Sequence, residues 1–352
     1  MVAPVDVENM TIVTNFIILG LSDNPQLQFP LFLVFLLIYL ITLLGNLVII
    51  TVTCADPRLH TPMYFFLSNL SLIDICSTST IIPKLLVNFI SGIRAFPMWG
   101  ALCSSISSGA LGGTEDFLLT AMAYDRYAAV CKPLHYSLIM NQRVCVLLAA
   151  ASWIIGSLLS EMITASVTRL SFCASNVVDH FFCDLMPLLK LSCTNTASTQ
   201  SIVFVIGALM AVPAFSVTLV SYTYIVSAIL RIRSAERKQK SFSTCSSHLT
   251  VVSVYYLSMF CLYLRPASTY SQEQGKILSV VFITLVPMLN PIIYSLRNKE
   301  LGFVDEAEAF TAPWRRELWS LLKDDPQWLN LELMIAGFLE ASPAHGPNPG
   351  LQ

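Results

Sequence analysis

A chain of 352 residues has room for two or three soluble domains, yet 55% of this one is apolar, only 12% is charged, and its formal charge is −2. About 25% charged residues is usual for a globular protein, so an ordinary soluble fold is excluded and a membrane protein is expected. The small net charge hides an asymmetry: residues 299–352 hold nine acids against four bases (Lys299, Arg315, Arg316 and Lys323), and the rest of the chain is net basic.

Residues 1–29 form a short polar arm, expected to be extracellular, with Asn9-Met10-Thr11 as a glycosylation sequon. Its stretch lacks the basic start and apolar core of a cleavable signal, so the first span is expected to direct insertion. A crossing helix needs about 20 apolar residues to traverse about 30 Å of hydrocarbon. Seven stretches meet that need, at roughly 30–53, 63–90, 101–124, 142–165, 198–230, 248–264 and 276–296. None has the alternating pattern of a membrane barrel, which leaves helices. The predicted fold is an all-α, seven-helix transmembrane bundle over 30–298, followed by an acidic cytoplasmic segment over 299–352.

Orientation follows from lysine and arginine. The first 57 residues contain neither, whereas the segment between spans five and six holds Arg231, Arg233, Arg237, Lys238 and Lys240 against Glu236 alone. Positive charge marks the cytoplasmic side. The amino terminus is therefore expected outside, and seven crossings put the carboxyl terminus inside. Of ten cysteines, Cys103, Cys173, Cys183 and Cys193 then fall on the outer, oxidising side. Four thiols admit three pairings, and their spacing does not choose among them. No cysteine spacing suits zinc, and no metal is expected.

Several polar groups lie where a bilayer should exclude them. Asp74 is in span two, Glu115 and Asp116 are in span three, and Asn46 and Asn290 are in spans one and seven. Ionisable groups cost about 2.5–3.5 kcal/mol each to insert and so face the bundle interior. They either tie helices together or, at Asp74 and Glu115, hold a sodium ion or a proton. Lys84, near the outer end of span two, is expected to snorkel.

Within span three, Cys103 lies 22 residues before Asp125. That is about 33 Å of helix, enough to set them at opposite surfaces. Between them Ser105, Ser108, Gly109, Gly112 and Asp116 share a face, which suits close helix packing or a cavity. Tyr256, Met259, Phe260 and Tyr263 recur at helical spacing in span six and would close the same cavity. There is no H-E-x-x-H, phosphate-binding loop or G-x-S-x-G string. His248 stands beside Ser246 and Ser247 without a third partner and reads as a structural or switching histidine. No enzymatic activity is expected.

Five separated strings then carry a resemblance. They are Pro62-Met63-Tyr64-Phe65-Phe66-Leu67, Met122-Ala123-Tyr124-Asp125-Arg126-Tyr127, Ser221-Tyr222, Lys240-Ser241-Phe242-Ser243-Thr244-Cys245-Ser246-Ser247-His248, and Pro287-Met288-Leu289-Asn290-Pro291-Ile292-Ile293-Tyr294. From about Asn9 to Lys299 the chain resembles the vertebrate odorant-receptor family of rhodopsin-like G-protein-coupled receptors. The resemblance implies a multi-pass plasma-membrane protein that binds a small volatile odorant within the bundle. It further implies activation of a stimulatory, olfactory-type G protein that raises cyclic AMP, with lipid as the other partner and no cofactor or nucleic acid.

Residue roles follow from the same resemblance. Asp125, Arg126 and Tyr127 would form the inner lock, and Tyr222, His248, Asn290 and Tyr294 would rearrange with it. Asp74 and Glu115 match an ion-coupling site. Cys183, in a His-Phe-Phe-Cys string, would pair with Cys103, and Cys173 with Cys193. The odorant would meet Ser108, Gly109, Gly112, Ile206, Met210, Tyr256, Met259 and Tyr263, with Ser105 adding a hydroxyl. Two departures stand out. Span three carries Ser104-Ser105-Ile106-Ser107-Ser108-Gly109 where the family is often phenylalanine-rich, and Asp116 is an extra acid, so a wider or more polar cavity is expected. The tail departs as well: the usual short basic helix after Lys299 is replaced by an acidic stretch, for which weak membrane docking is expected.

Overall fold

Seven long helices run through the described residues. They are α1 (Pro25–Ala55), α2 (Pro62–Ser91), α3 (Met98–Cys131), α4 (Gln142–Val167), α5 (Ala197–Leu230), α6 (Ala235–Tyr263) and α7. The last runs through Gln272–Val280, a π-helical turn Val281–Leu285, and Val286–Arg297. The computed structural model describes residues 15–22, 24–92, 94–172, 176–263 and 272–297. All of these belong to the first of the chain's two units, Met1–Leu301; the second is Gly302–Gln352. Asn9, Cys173 and the acidic tail lie outside the described residues.

Local signals set the helix ends. Asn24 caps α1 by accepting the Gln26 N–H at 3.0 Å, with Pro25 as the first helical residue. Proline suits that position because its missing N–H has no intrahelical partner there anyway. Asn141 caps α4 by accepting the Val144 N–H at 3.1 Å. Gly92 closes α2 at φ 65°, a left-handed conformation that glycine adopts without strain.

Among the described residues, five helices are long and apolar enough to cross a membrane: α1, α2, α4, α5 and the Gln274–Tyr294 stretch of α7. The other two fall short for a visible reason. α3 carries Glu115 and Asp116 amid serines and glycines, and the apolar part of α6 is broken by Ser246, Ser247, His248, Ser253 and Ser258. The outward faces are largely apolar, as at Leu44, Phe204, Leu209 and Leu257, all exposed. Leucine gains little by leaving lipid, so the bundle depends on close packing and interhelical hydrogen bonds.

α3 is the hub, touching α2, α4, α5 and α6. Its approach to α4 rests on glycine. A Cβ on Gly156 would stand 2.7 Å from the Thr114 backbone nitrogen and 2.9 Å from the Ala110 oxygen. The main buried cluster joins Phe66, Leu67 and Leu70 of α2, Leu118, Leu119 and Met122 of α3, Val251 and Tyr255 of α6, and Tyr294 of α7.

α1 meets α7 at a proline. Pro291 has no N–H to offer the Pro287 carbonyl one turn back, and the buried Asn46 side chain donates to that carbonyl instead, at 3.3 Å. The backbone comes so close that a Cβ on Gly45 would lie 2.9 Å from the Pro291 ring.

The amino-terminal arm is less simple than its polar sequence suggests. Residues Asn15–Ile18 form a strand, β1, at the centre of a three-stranded sheet. It pairs antiparallel with β2 (Ala95–Pro97) through Phe16↔Phe96 and parallel with β3 (Val177–Val178) through Ile17↔Val177. Phe16 and Ile18 point into a buried cluster with Leu102, Phe172 and Cys183.

Candidate functional site

At one end of the bundle Asp125 and Arg126 are paired. Arg126 donates to Asp125 Oδ2 through Nη2 at 2.9 Å and Nε at 3.2 Å. The other carboxylate oxygen accepts the Tyr136 hydroxyl at 2.8 Å. Tyr136 sits in the one-turn helix Tyr136–Ile139 between α3 and α4, and no signal in the sequence marked it. A guanidinium is permanently charged and pairs in two-pronged fashion, so Asp125 holds it firmly while no better partner is present. Beside the lock the Tyr222 hydroxyl and His248 Nδ1 share a 2.5 Å hydrogen bond across α5 and α6, both side chains buried. Tyr127 packs against the Tyr124 and Tyr224 rings.

Halfway along the bundle lies a second polar group. Asn290 donates to Asp74 Oδ2 at 3.0 Å, linking α7 to α2. Asp74 Oδ1, Glu115 Oε1, Asn46 Oδ1 and the Tyr294 hydroxyl are buried there without hydrogen-bond partners. The chemistry of that set, two carboxylates with an amide and a phenol, suits a small cation or proton.

The shared face of α3 divides between two neighbours, α4 and α6. Gly109 lies on the α4 side, where an added Cβ would stand 2.7 Å from Ser160 Oγ, so it is a packing glycine rather than a cavity liner. Gly112 borders open space, and its carbonyl accepts the Tyr255 hydroxyl at 3.2 Å. Asp116 accepts the Tyr256 hydroxyl at 2.8 Å. Ser108 Oγ is buried and unpartnered, and Ser105 is half-buried. From α5, Ile206 is buried and Met210 reaches toward Gly113. Met259 packs against the main core, while the Tyr263 side chain lies outside the described residues. Tyr255 and the Asp116–Tyr256 bond were not foreseen; a charged residue in an apolar span was the only signal for the latter.

These strings, this polar core and this helix order have close parallels. A sequence profile of the olfactory receptor family matches residues 35–305. Human olfactory receptor 1L4 is 49% identical over 288 residues, covering 82% of this chain and 93% of that protein. The chain belongs to the olfactory receptor family. Human olfactory receptor 5B12 is likewise 49% identical, covering 84% of this chain and 94% of that one. In fold the receptor matches squid rhodopsin, with a TM-score of 0.67 at 16% identity, over 84% of this chain and 83% of that one. It is therefore a seven-helix G-protein-coupled receptor, a multi-pass plasma-membrane protein and not an enzyme, whose family implies a small-molecule ligand and a G-protein partner.

The sheet end of the receptor corrects one expectation. Cys103 and Cys183 are both free thiols, Cys103 exposed and Cys183 buried. The reason is helix rotation. Met98 and Leu102 are the α3 residues that face the Cys183 cluster. Cys103 sits one residue beyond Leu102, about 100° round the helix, and so points away. Burial, with Asp184 adjacent, pushes the Cys183 thiol up to about 12, which leaves it inert. Cys193 is disulfide-bonded, its partner lying outside the described residues. Nearby, Lys276 of α7 pairs with Asp179. Lys84 reaches the Ala95 carbonyl at 3.3 Å and lies over the Phe96 ring.

Proposed function

We propose that this receptor detects a small odorant between α3, α5 and α6 and activates a stimulatory G protein at the Arg126 end, raising cyclic AMP. The closed Asp125–Arg126 pair, steadied by Tyr136, is the observation that carries the reading: it is a bistable contact poised to exchange partners. An open groove of about 610 Å³ beside it is lined by Cys131, Lys132, Pro133, Leu134, His135, Leu138 and Ile139. Leu134 is 90% exposed there, and apolar surface of that kind favours a protein partner. In this reading the sheet end faces outside and the Arg126 end faces the cytoplasm, in line with the basic segment after α5. Cys173 is the partner of Cys193, Asn9 carries glycan, and Asp74 with Glu115 holds the coupling ion or proton. The acidic segment from 299 docks weakly on the membrane. Pockets for such ligands are apolar with a few placed polar groups, and Ser105 and Ser108 add hydroxyls to the face that bears Gly112. A cyclic AMP assay over a broad odorant panel tests the function. Ligand-dependent output that vanishes in Arg126→Ala at equal surface level supports it, and undiminished output in that variant refutes it.

A further inference from the structure

The middle of the bundle holds a carboxylate that the lock and the Asp74 group leave unexplained. Asp116 is 3% exposed, and its Oδ1 accepts the Tyr256 hydroxyl. Among the described residues no cation pairs with it: the ion pairs there are Arg126–Asp125 and Lys276–Asp179. A buried carboxylate costs several kcal/mol unless a positive group or full hydrogen bonding offsets it. Thr218 of α5, also 3% exposed, lies in range of the Tyr256 hydroxyl, yet its Oγ1 is outside hydrogen-bonding geometry with any group. Two polar side chains from different helices thus converge on one spot with capacity to spare.

The walls around that spot are aromatic. The Phe215 ring lies 5.1 Å from Tyr256 and 5.2 Å from Phe260, and Tyr255 lies 5.4 Å from Phe282. One turn along α3 the backbone at Gly112 borders open space, and one turn further Ser108 Oγ is unpartnered. An anionic floor, electron-rich ring faces and a small-residue opening are what an alkylammonium group requires. The carboxylate neutralises its charge, hydroxyls accept its N–H bonds, and the rings attract its polarised alkyl substituents.

We propose that the ligands of this receptor are small protonated amines, with the ammonium group on Asp116, Tyr256 and Thr218 and the alkyl part toward Gly112. This rests on the odorant reading of the same bundle and narrows it to one chemical class. An uncharged alcohol of equal length leaves the carboxylate without its counter-charge and is the natural control.

The test uses the full-length receptor in cells at matched surface level. Hexylamine, octylamine and cyclohexylamine are compared with hexanol, octanol and cyclohexanol by cyclic AMP output. Amines are expected to activate the wild type. Asp116→Asn preserves shape and an acceptor for Tyr256, and should weaken amine potency by about 30-fold or more, the usual loss when one partner of a buried charge pair is removed. Thr218→Val, similar in volume, should cost amines about tenfold and alcohols nothing. Alcohols as potent as amines, amine potency unchanged in both variants, or no amine response at all overturns the proposal. Basal cyclic AMP judges the receptor reading separately, because a drop in Arg126→Ala sustains it even where the amines fail.

Discussion

The two ends of α3 were equally conspicuous in sequence and turned out differently. At the Arg126 end the decisive residues are chain neighbours, and their contact survives any small rotation of the helix. At the Cys103 end the expected partner lies 80 residues away, and a bond to it requires α3 to present one side of its circumference and no other. Met98 and Leu102 occupy that side. Contacts made within one turn are thus readable locally, whereas a cross-link between distant segments depends on a rotation that packing decides.

The largest expected effect breaks the Arg126 end outright. Arg126→Ala should abolish both basal and ligand-evoked cyclic AMP at normal surface level, while ligand binding persists. A normal response would reduce the residue to a structural one.

Cysteine replacement sharpens the opposite end. Cys193→Ser should cost about 2–5 kcal/mol of stability, as loss of a native disulfide usually does. Cys103→Ser at an exposed site should stay within about 0.5 kcal/mol. A membrane-impermeant maleimide should label Cys103 without prior reduction. Finding Cys103 and Cys183 in one unreduced peptide pair would show that α3 is rotated otherwise.

Acid should also weaken the sheet end selectively. His180 is buried between the Phe181 and Phe182 rings. Burial, then the nearby Lys276 charge, lower its pKa from 6.5 to about 4. A depressed histidine favours the folded state while neutral, so its contribution is complete above pH 6.5 and is lost as pH falls toward 4. The loss is about 3 kcal/mol at most. Asp184 works the other way: burial raises its pKa to about 6, so its contribution grows as pH falls through 6. Comparing melting of the wild type with His180→Phe cancels the aspartate and isolates the histidine. Identical pH profiles would remove His180 from the account.

The smallest effect returns to the lock. Tyr136→Phe deletes one hydrogen bond to a charged carboxylate, worth about 1.5 kcal/mol, and should raise basal cyclic AMP by up to about tenfold. Lowered basal output would mean that Tyr136 supports the active arrangement instead.

The seven helices were legible because each span needs a long apolar run, and their ends lie within a few residues of expectation except at α3 and α6. There α3 runs on to Cys131 and α6 extends back to Ala235. That Arg126, Asn290 and Asp74 find polar partners was legible, because charge and amide groups in or beside apolar spans have few alternatives. Tyr136 was not, since its partner is set by how the loop after α3 folds back. Nor was the sheet, whose strands are four, three and two residues long and too short to show a period. Gly109 was misjudged because helical spacing defines a face about 100° wide, and two neighbours divide it.

The sheet bears on how the receptor is made. β1 leaves the ribosome first, but its Ile17 pairs with Ala95 and Val177, segments that follow 78 and 160 residues later. At about 5–20 residues per second, the second of these trails by roughly 8–32 s. With the sheet end outside, as proposed above, β1 would present two bare backbone edges and the apolar Phe16 and Ile18 side chains to the secretory lumen throughout that interval. On that orientation the sheet can be completed only after the loop between α4 and α5 has crossed, so β1 would wait unpaired until translocation has reached that loop.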